Sequence, residues 1–349
     1  MTNIRVISQS DISRILSQGN TEVANEIVDI MAKTFRQFTE GQNDKANENE
    51  RLASQSPQRI GISTEAFQVL FMPSRLDHTT SIKVVSVPTK EGLSGLPATI
   101  LVIDETTGST EAVMNATSLT AIRTAAGSGL ATRYFAHPEA KNLVVLGAGA
   151  QAKAHIDIMI SIRPSIERIS IWNRSEQRRL ELIKELQQIY PTRTFVSAVG
   201  DDNSSHHDVN AFLLEEEVRK ADIICTCTNA TDPILVGQWL KPGVHLNCIG
   251  SYRLDMHEID SDTVKRAELI IVDSIKACSH EAGELVASSK PEDWLEIGQY
   301  MIDNEEIETK YNEKITLFKS VGISVQDSAI AGLIVKHAKK EKLGTIVPF

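Results

Sequence analysis

The stretch Asn142 to Met159, NLVVLGAGAQAKAHIDIM, constrains the fold more than any other part of the chain. An apolar run, Leu143 to Leu146, ends in Gly147-Ala148-Gly149-Ala150-Gln151-Ala152, and an apolar helical stretch follows. This is the spacing G-x-G-x-x-A set between a strand and a helix. Gly147 permits the tight turn, Gly149 lets the backbone approach a pyrophosphate, and Ala152 is small enough for the helix to pack on the strand. The helix N-terminus then faces anionic oxygen. Strand-to-helix turns use glycine without any ligand, but here the flanking strand and helix supply the context that a dinucleotide cradle requires.

The next strand, RISIW (Arg168 to Trp172), ends in Asn173-Arg174-Ser175. A carboxylate at that point would accept hydrogen bonds from an adenosine ribose and repel a 2′-phosphate, whereas these residues offer donors and a cation. The chemistry points to NADP (NADPH). The alternative is that Arg174, with Arg178 and Arg179 one turn later, is an ordinary solvated charge.

With 349 residues, 41% of them hydrophobic, the chain can bury a large core and is expected to form two domains. A formal net charge of −10 argues against a nucleic acid or an anionic membrane as main partner and favours a small soluble ligand. The N-terminal MTNIRVISQSDISRIL has no apolar run of signal length, and no stretch reaches the roughly 18 residues of a spanning helix. The expected location is the cytoplasm. Cys225, Cys227, Cys248 and Cys278 lie in or beside apolar runs with no CxxC and no histidine at ligand spacing, so they read as buried thiols and no metal site is expected. Cys225 and Cys227, two apart in one strand, are expected on one face.

Ser10 or Asp11 is placed to cap a short helix, and Thr21 to Phe38 has apolar residues at three-and-four spacing, as in an amphipathic helix. The polar stretch Thr39 to Gln58 offers almost nothing to bury and reads as a surface loop or excursion. From Arg59 to Val113 short alternating strands follow, the last pair broken at Thr107-Gly108 like a hairpin, which predicts an antiparallel first domain. After it, LVVLGAG, RISIW, ADIICTCT, VHLNCIG and ELIIVDS are nearly continuous apolar strands separated by helical stretches such as Gln177 to Ile189. That rhythm belongs to a parallel sheet covered on both faces, a doubly wound α/β domain. The terminal DSAIAGLIVKHAKKEKLG reads as an amphipathic helix closed by Gly344 that returns to the first domain.

Thr117 to Ala136 reads as a helix with a small-residue face, on which Arg123 stands among apolar neighbours. A buried guanidinium wants an anion: a bound ligand, or a core Asp or Glu.

Met72-Pro73, Lys83 in SIKVVSVP, Gly95-Leu96-Pro97, LTAIRTAA, LGAGAQA, Val272-Asp273-Ser274, EAGEL at Glu281 to Leu285 and FKSVGISVQD at Phe318 to Asp327 occur in order along the chain. Together they resemble the ornithine cyclodeaminase and mu-crystallin family almost end to end. The resemblance implies a Rossmann-type doubly wound parallel sheet (126–316) plus a discontinuous α+β substrate-binding and dimerisation domain (1–125 and 317–349), assembled as a homodimer. It implies that Arg59, Lys83 and Arg123 surround a substrate α-carboxylate, assigns Met72 to the substrate, and assigns Thr124 and Thr228 to the cofactor.

Two positions depart from the ornithine-cyclising pattern. The glutamate expected two residues before Met-Pro is Leu70, and the aspartate expected after the fourth strand of the nucleotide domain is Tyr252. Losing both removes the partner for a distal ammonium and the usual acid beside the reacting nitrogen. The pattern then resembles the mu-crystallin branch of NADPH-dependent ketimine reductases. The expected activity is reduction of a small, cyclic α-imino acid, with Lys83 as proton donor or anchor and Tyr252 or a water in place of the aspartate. Ornithine cyclodeamination, amino-acid dehydrogenation, an opine-type condensation and a non-enzymic NADPH-binding role are the alternatives.

Overall fold

The computed structural model describes residues 3–16, 20–43, 45–90, 95–200, 212–304 and 309–349. The chain divides into two compact units, Met1–Arg123 with Gly322–Phe349, and Thr124–Val321. The first boundary falls inside a helix and the second lies just past a strand of the nucleotide-type sheet. A cut at 316/317 would have divided that strand, Thr316–Lys319, which pairs on both sides within the second unit.

The first unit opens with β1 (Asn3–Ile7), α1 (Gln9–Leu16), α2 (Thr21–Gln42) and α3 (Glu48–Ala53). It continues with β2 (Ser54–Gln55), β3 (Ile60–Ser63), β4 (Phe67–Leu76), β5 (Thr79–Pro88), β6 (Ala98–Ile103), β7 (Thr110–Asn115) and the start of α4 (Thr117–Phe135). Among the described residues the strands form an eight-stranded sheet in which the C-terminal strand, Thr345–Pro348, lies beside β1. The sheet is mixed rather than wholly antiparallel, because β1 runs parallel to β7. The hairpin turn predicted at Thr107-Gly108 joins β6 to β7, with Gly108 at φ 73°.

Ser8, not Ser10 or Asp11, begins α1: its hydroxyl accepts from the Asp11 amide at 3.2 Å while its own amide donates to the Asp11 carboxylate at 2.9 Å. In α2, Ala24, Ile27, Val28, Met31, Phe35 and Phe38 form the buried stripe that the periodicity predicts, and the Asn20 side chain caps its start. The polar stretch from Thr39 is ordered where it is described. α2 runs on to Gln42, Asn47 and Glu50 form a reciprocal capping box that starts α3, and Ser54–Gln55 pairs with β4. Few of these side chains are buried, so the order rests on caps and backbone pairing, which apolar patterning cannot reveal.

The second unit contains β8 (Asn142–Leu146), α5 (Ala150–Ile162), β9 (Arg168–Trp172), α6 (Glu176–Ile189), β10 (Thr194–Val199), β11 (Phe212–Leu213), α7 (Leu214–Lys220) and β12 (Ile223–Thr226). After these come β13 (His245–Cys248), α8 (Ser261–Arg266), β14 (Leu269–Val272), α9 (Ile275–Glu281), α10 (Gly283–Ser288), β15 (Trp294–Glu296), α11 (Ile297–Asp303) and β16 (Thr316–Lys319). The chain then returns to the first unit with α12 (Ser324–Lys340) and β17 (Thr345–Pro348). Among the described residues nine strands lie in the order β11-β10-β9-β8-β12-β13-β16-β14-β15, and each pairing between them is parallel. From β8 the chain winds outward to β11, then crosses to β12 and winds the other way. The switch point therefore lies between β8 and β12, where doubly wound sheets place their ligands at the carboxyl ends of the strands. Cys225, Cys248 and Cys278 are buried free thiols; Cys227 lies just past the end of β12 and is half-buried, so it does not share a strand face with Cys225. Among the described residues no helix is long and apolar enough to cross a membrane.

Candidate functional site

In the first unit, antiparallel register places Met72 of β4 opposite Lys83 of β5, with Ile100 of β6 on the other side of Lys83. All three side chains are buried. An ammonium there requires compensation, and Asp327 in the first turn of α12 supplies it. The Lys83 Nζ lies 2.8 Å from one carboxylate oxygen of Asp327 and 3.0 Å from the other. Arg123, on α4, donates from Nε to the same carboxylate at 3.1 Å and from Nη1 to the Gln326 side-chain oxygen, also at 3.1 Å. Gly322 makes room for this guanidinium: its φ of +82° suits glycine, and a Cβ there would stand 2.6 Å from Arg123 Nη1. The core carboxylate considered for Arg123 is thus present, and Lys83 shares it. In the sequence Asp327 is only the last residue of the FKSVGISVQD motif, and nothing adjacent to it marks it as the partner of Lys83 and Arg123.

The cluster remains cationic overall. Arg59 is half-buried, and its charge, like that of Arg123, acts against the Lys83 ammonium. Burial is the largest influence on Lys83 and brings it down to about 8, against the attraction of Asp327. Lys83 and Arg123 share the Asp327 carboxylate, two cations on one anion, so a further anion would still be attracted, and Lys83 exchanges its proton near neutral pH.

In the second unit, Gly147 has φ +123°, and a Cβ on it would lie 2.6 Å from the carbonyl oxygen of Cys227. Glycine is demanded there twice, by conformation and by the approach of the loop after β12. Gly149 differs: its φ of −101° is open to any residue, and a Cβ there would meet nothing within 4 Å. Among the described residues nothing crowds the second glycine, and it stands with Ala150 at the exposed N-terminus of α5, where the open backbone could admit an anion such as a pyrophosphate. Ala148 and Gln151 are half-buried beside it, and Ala152 is fully buried, as close helix packing requires.

Beyond β9, Ser175 caps α6 by accepting from the Arg178 amide at 3.4 Å, and the Asn173 side chain donates to the Ser175 carbonyl at 3.0 Å. Arg174 is exposed. Arg179 is not a solvated charge: it is 1% exposed, and it donates to Ser197 Oγ at 2.7 Å and to the Asn173 carbonyl at 3.1 Å. It braces the loop that presents Arg174. Thr124 is buried at the start of this unit. Thr228 follows β12, with its amide and hydroxyl both on the Glu258 carboxylate at 2.6 and 2.8 Å. Tyr252 is half-buried in the loop after β13. Thus Gly147 to Gln151, Asn173 to Ser175, Thr228 and Tyr252 all follow carboxyl ends of strands of one sheet.

Residues 10–342 match the ornithine cyclodeaminase/mu-crystallin family. Over 343 residues, 95% of this chain and 98% of the relative, the sequence is 29% identical to a Delta(1)-pyrroline-2-carboxylate reductase of Bacillus cereus. It is 35% identical to the ketimine reductase mu-crystallin of Rattus norvegicus over 237 residues, 68% of each chain. The structure is similar to that of Thermococcus litoralis Delta(1)-pyrroline-2-carboxylate reductase in complex with NADH and L-proline, with a TM-score of 0.83, 26% identity and coverage of 99% of this chain and 100% of that one. An archaeal alanine dehydrogenase dimer shares the fold, with a TM-score of 0.82, 21% identity and full coverage of both chains. With its glycine turn at a switch point, its buried lysine and arginine, and a match along nearly its whole length, the chain belongs to the ornithine cyclodeaminase/mu-crystallin family.

Proposed function

We propose that the protein is an NADPH-dependent reductase of small cyclic α-imino acids, of the Δ1-pyrroline-2-carboxylate type. The observation that carries the reading is the excess of positive charge around Lys83, which stays attractive to a carboxylate after Asp327 is counted. The reductases and ketimine reductase among its relatives support the reaction type.

In this reading Arg59 and Arg123 hold the substrate carboxylate by charge-assisted hydrogen bonds and fix the direction of its C=N carbon. Met72 and Leu70 present apolar surface to the ring, and Leu70 offers nothing to a distal ammonium. The bound dinucleotide supplies a hydride to the C=N carbon. Lys83 gives a proton to the nitrogen, so that imine, hydride and proton make the cyclic amine, and Lys83 regains its proton from solvent. Its lowered affinity for that proton suits the transfer. Tyr252 stands where the cyclising members carry an aspartate, and its hydroxyl is the polar group offered at that position of the sequence.

Cofactor choice follows from Arg174, exposed at the end of β9 with no carboxylate beside it in sequence, which favours NADP over NAD. The protein is read as cytoplasmic and homodimeric. Association is favoured by the edge strand β3, all of whose residues are exposed, including Ile60 at 63% and Ile62 at 55%. Incubating the protein with NADPH and Δ1-pyrroline-2-carboxylate, a keto acid with an amine, alanine with NADP, or ornithine with NAD tests the reading. Oxidation of NADPH by the cyclic imine alone supports it; ornithine-to-proline conversion without imine reduction overturns it.

A further inference from the structure

Beneath the carboxyl ends of β12 and β13 lies a buried carboxylate that the proposed chemistry does not use. Glu258 is fully buried. Its Oε1 accepts from the Thr228 amide at 2.6 Å and the Thr228 hydroxyl at 2.8 Å. Its Oε2 accepts from the Thr226 hydroxyl at 2.7 Å, the Gly250 amide at 2.6 Å and the Ser251 amide at 3.2 Å. One carboxylate therefore ties the loop after β12 to the loop after β13. The two loops are pressed together at that point: a Cβ on Gly250 would stand 1.9 Å from the Thr228 carbonyl oxygen and 2.4 Å from Glu258 Oε1.

Glu258 is itself held on several sides. Its carbonyl accepts from the amides of Ile234 and Leu235, and its amide donates to Glu284 at 3.2 Å. Glu284 forms a buried ion pair of 2.6 Å with Lys319 at the end of β16. Taking a carboxylate this far from water is costly. Burial raises the pKa of Glu258, and four donors from the two loops, with the Thr226 hydroxyl at the end of β12, offset that cost by replacing water around the carboxylate and also demand one geometry. The loop after β12 borders the switch point, where Gly147 abuts the Cys227 carbonyl, and the loop after β13 carries Tyr252.

We propose that Glu258 is a positioning residue for hydride transfer: it locks the loops bearing Thr228 and Tyr252 into one rigid support for the nicotinamide end of the cofactor, without touching the cofactor itself. The proposal rests on the reading that this edge of the sheet binds a nicotinamide dinucleotide. It predicts that disturbing Glu258 loosens the nicotinamide more than it weakens binding. Glu258→Gln keeps the shape but turns an amide NH2 toward one of the two sets of donors, so at least one loop must move. Thr226→Val removes one donor of the five and leaves the carboxylate, as a milder variant.

The experiment measures the dissociation constant and the fluorescence lifetime of bound NADPH, together with turnover and the deuterium isotope effect of NADPH labelled at C4, in the full-length protein. For Glu258→Gln we expect a rise in dissociation constant under about threefold, a shortened lifetime, and turnover lowered roughly 100-fold, the loss typical of small misplacement, with a larger isotope effect. Thr226→Val should change the same quantities in the same direction by less, and it decides the matter if Glu258→Gln does not fold. Unchanged lifetime and isotope effect in a folded variant, with only a lower melting temperature, would overturn the proposal. So would a loss of affinity large enough to account for the whole loss of kcat/KM. If the unmodified protein binds NADPH but reduces no imine, the proposed substrate is wrong, and the lifetime still decides the role of Glu258.

Discussion

Replacing Asp327 with Asn tests whether this carboxylate sets the charge state of Lys83. The change removes a charge and almost no volume. In the intact protein burial brings Lys83 down to about 8, Arg123 and Arg59 push in the same direction, and Asp327 opposes them by its charge and its hydrogen bond. Without Asp327, Lys83 and Arg123 lose the carboxylate they share, within 3.1 Å of both. Breaking a buried pair in this way costs roughly 3–5 kcal/mol. For a unit of about 150 residues that lowers the melting temperature by roughly 6–20 °C. With Lys83 as the proposed proton donor the protonated form works, so turnover should be full below about 8 and fall as pH rises through that value. In Asp327→Asn the falling limb should move toward acid by about one unit or more, each unit being about 1.4 kcal/mol. NADPH oxidation with Δ1-pyrroline-2-carboxylate as substrate, followed between pH 6 and 9, gives the limb. A variant with its limb unmoved and its melting temperature intact would refute the assignment of Asp327 as the group that holds Lys83 charged.

Arg174→Ala should erase most of the preference for NADPH over NADH, since a charge-assisted contact contributes about 1.5–3 kcal/mol; titration of both cofactors checks this, and equal affinities in the unmutated protein contradict it. Leu70→Glu should lower kcat/KM for an apolar cyclic imine by roughly 10- to 100-fold, because a carboxylate would replace apolar surface against the ring; steady-state kinetics decide, and an undiminished rate removes Leu70 from the site. Burial brings His155 down to about 4 and His245 to about 3, so both are neutral in the folded chain. The unfolded chain binds their protons first, so stability is lost as pH falls below about 6.5, by about 2 kcal/mol per histidine at pH 5. Denaturant unfolding across that range should show the loss, and His245→Gln should reduce it by about half.

The parts of this fold that were legible in the sequence are those set locally. Gly147 is dictated by a turn one residue past β8, and the stripe on α2 by contacts three and four residues apart. Arg123 read correctly as a cation in want of an anion, because the cost of burying it shows in its neighbours. Its partner did not, since Asp327 lies on α12, which returns from the far end of the chain. Arg179 gave no signal either: it follows Glu176, Gln177 and Arg178 and reads as one more charge of a surface helix, whereas in the fold it is buried with its Nε on Ser197 of β10. Glu258 gave no signal in the sequence, because its five donors come from residues 226 to 251 and none is adjacent. In the polar stretch from Thr39, a readable signal was missed: Asn47 and Glu50 stand at capping-box spacing.

In the proposed reaction NADPH gives its hydride to the imine carbon of a cyclic α-imino acid held by Lys83, Arg123 and Arg59. Incubating the protein with Δ1-pyrroline-2-carboxylate and NADPH deuterated at C4, then locating the label in the product by mass spectrometry, tests it most directly. Proline carrying one deuterium at the α-carbon, with NADPH labelled on the opposite face giving none, is the predicted result. Unlabelled proline from both cofactors, or no proline at all from a protein that binds NADPH, would contradict the account.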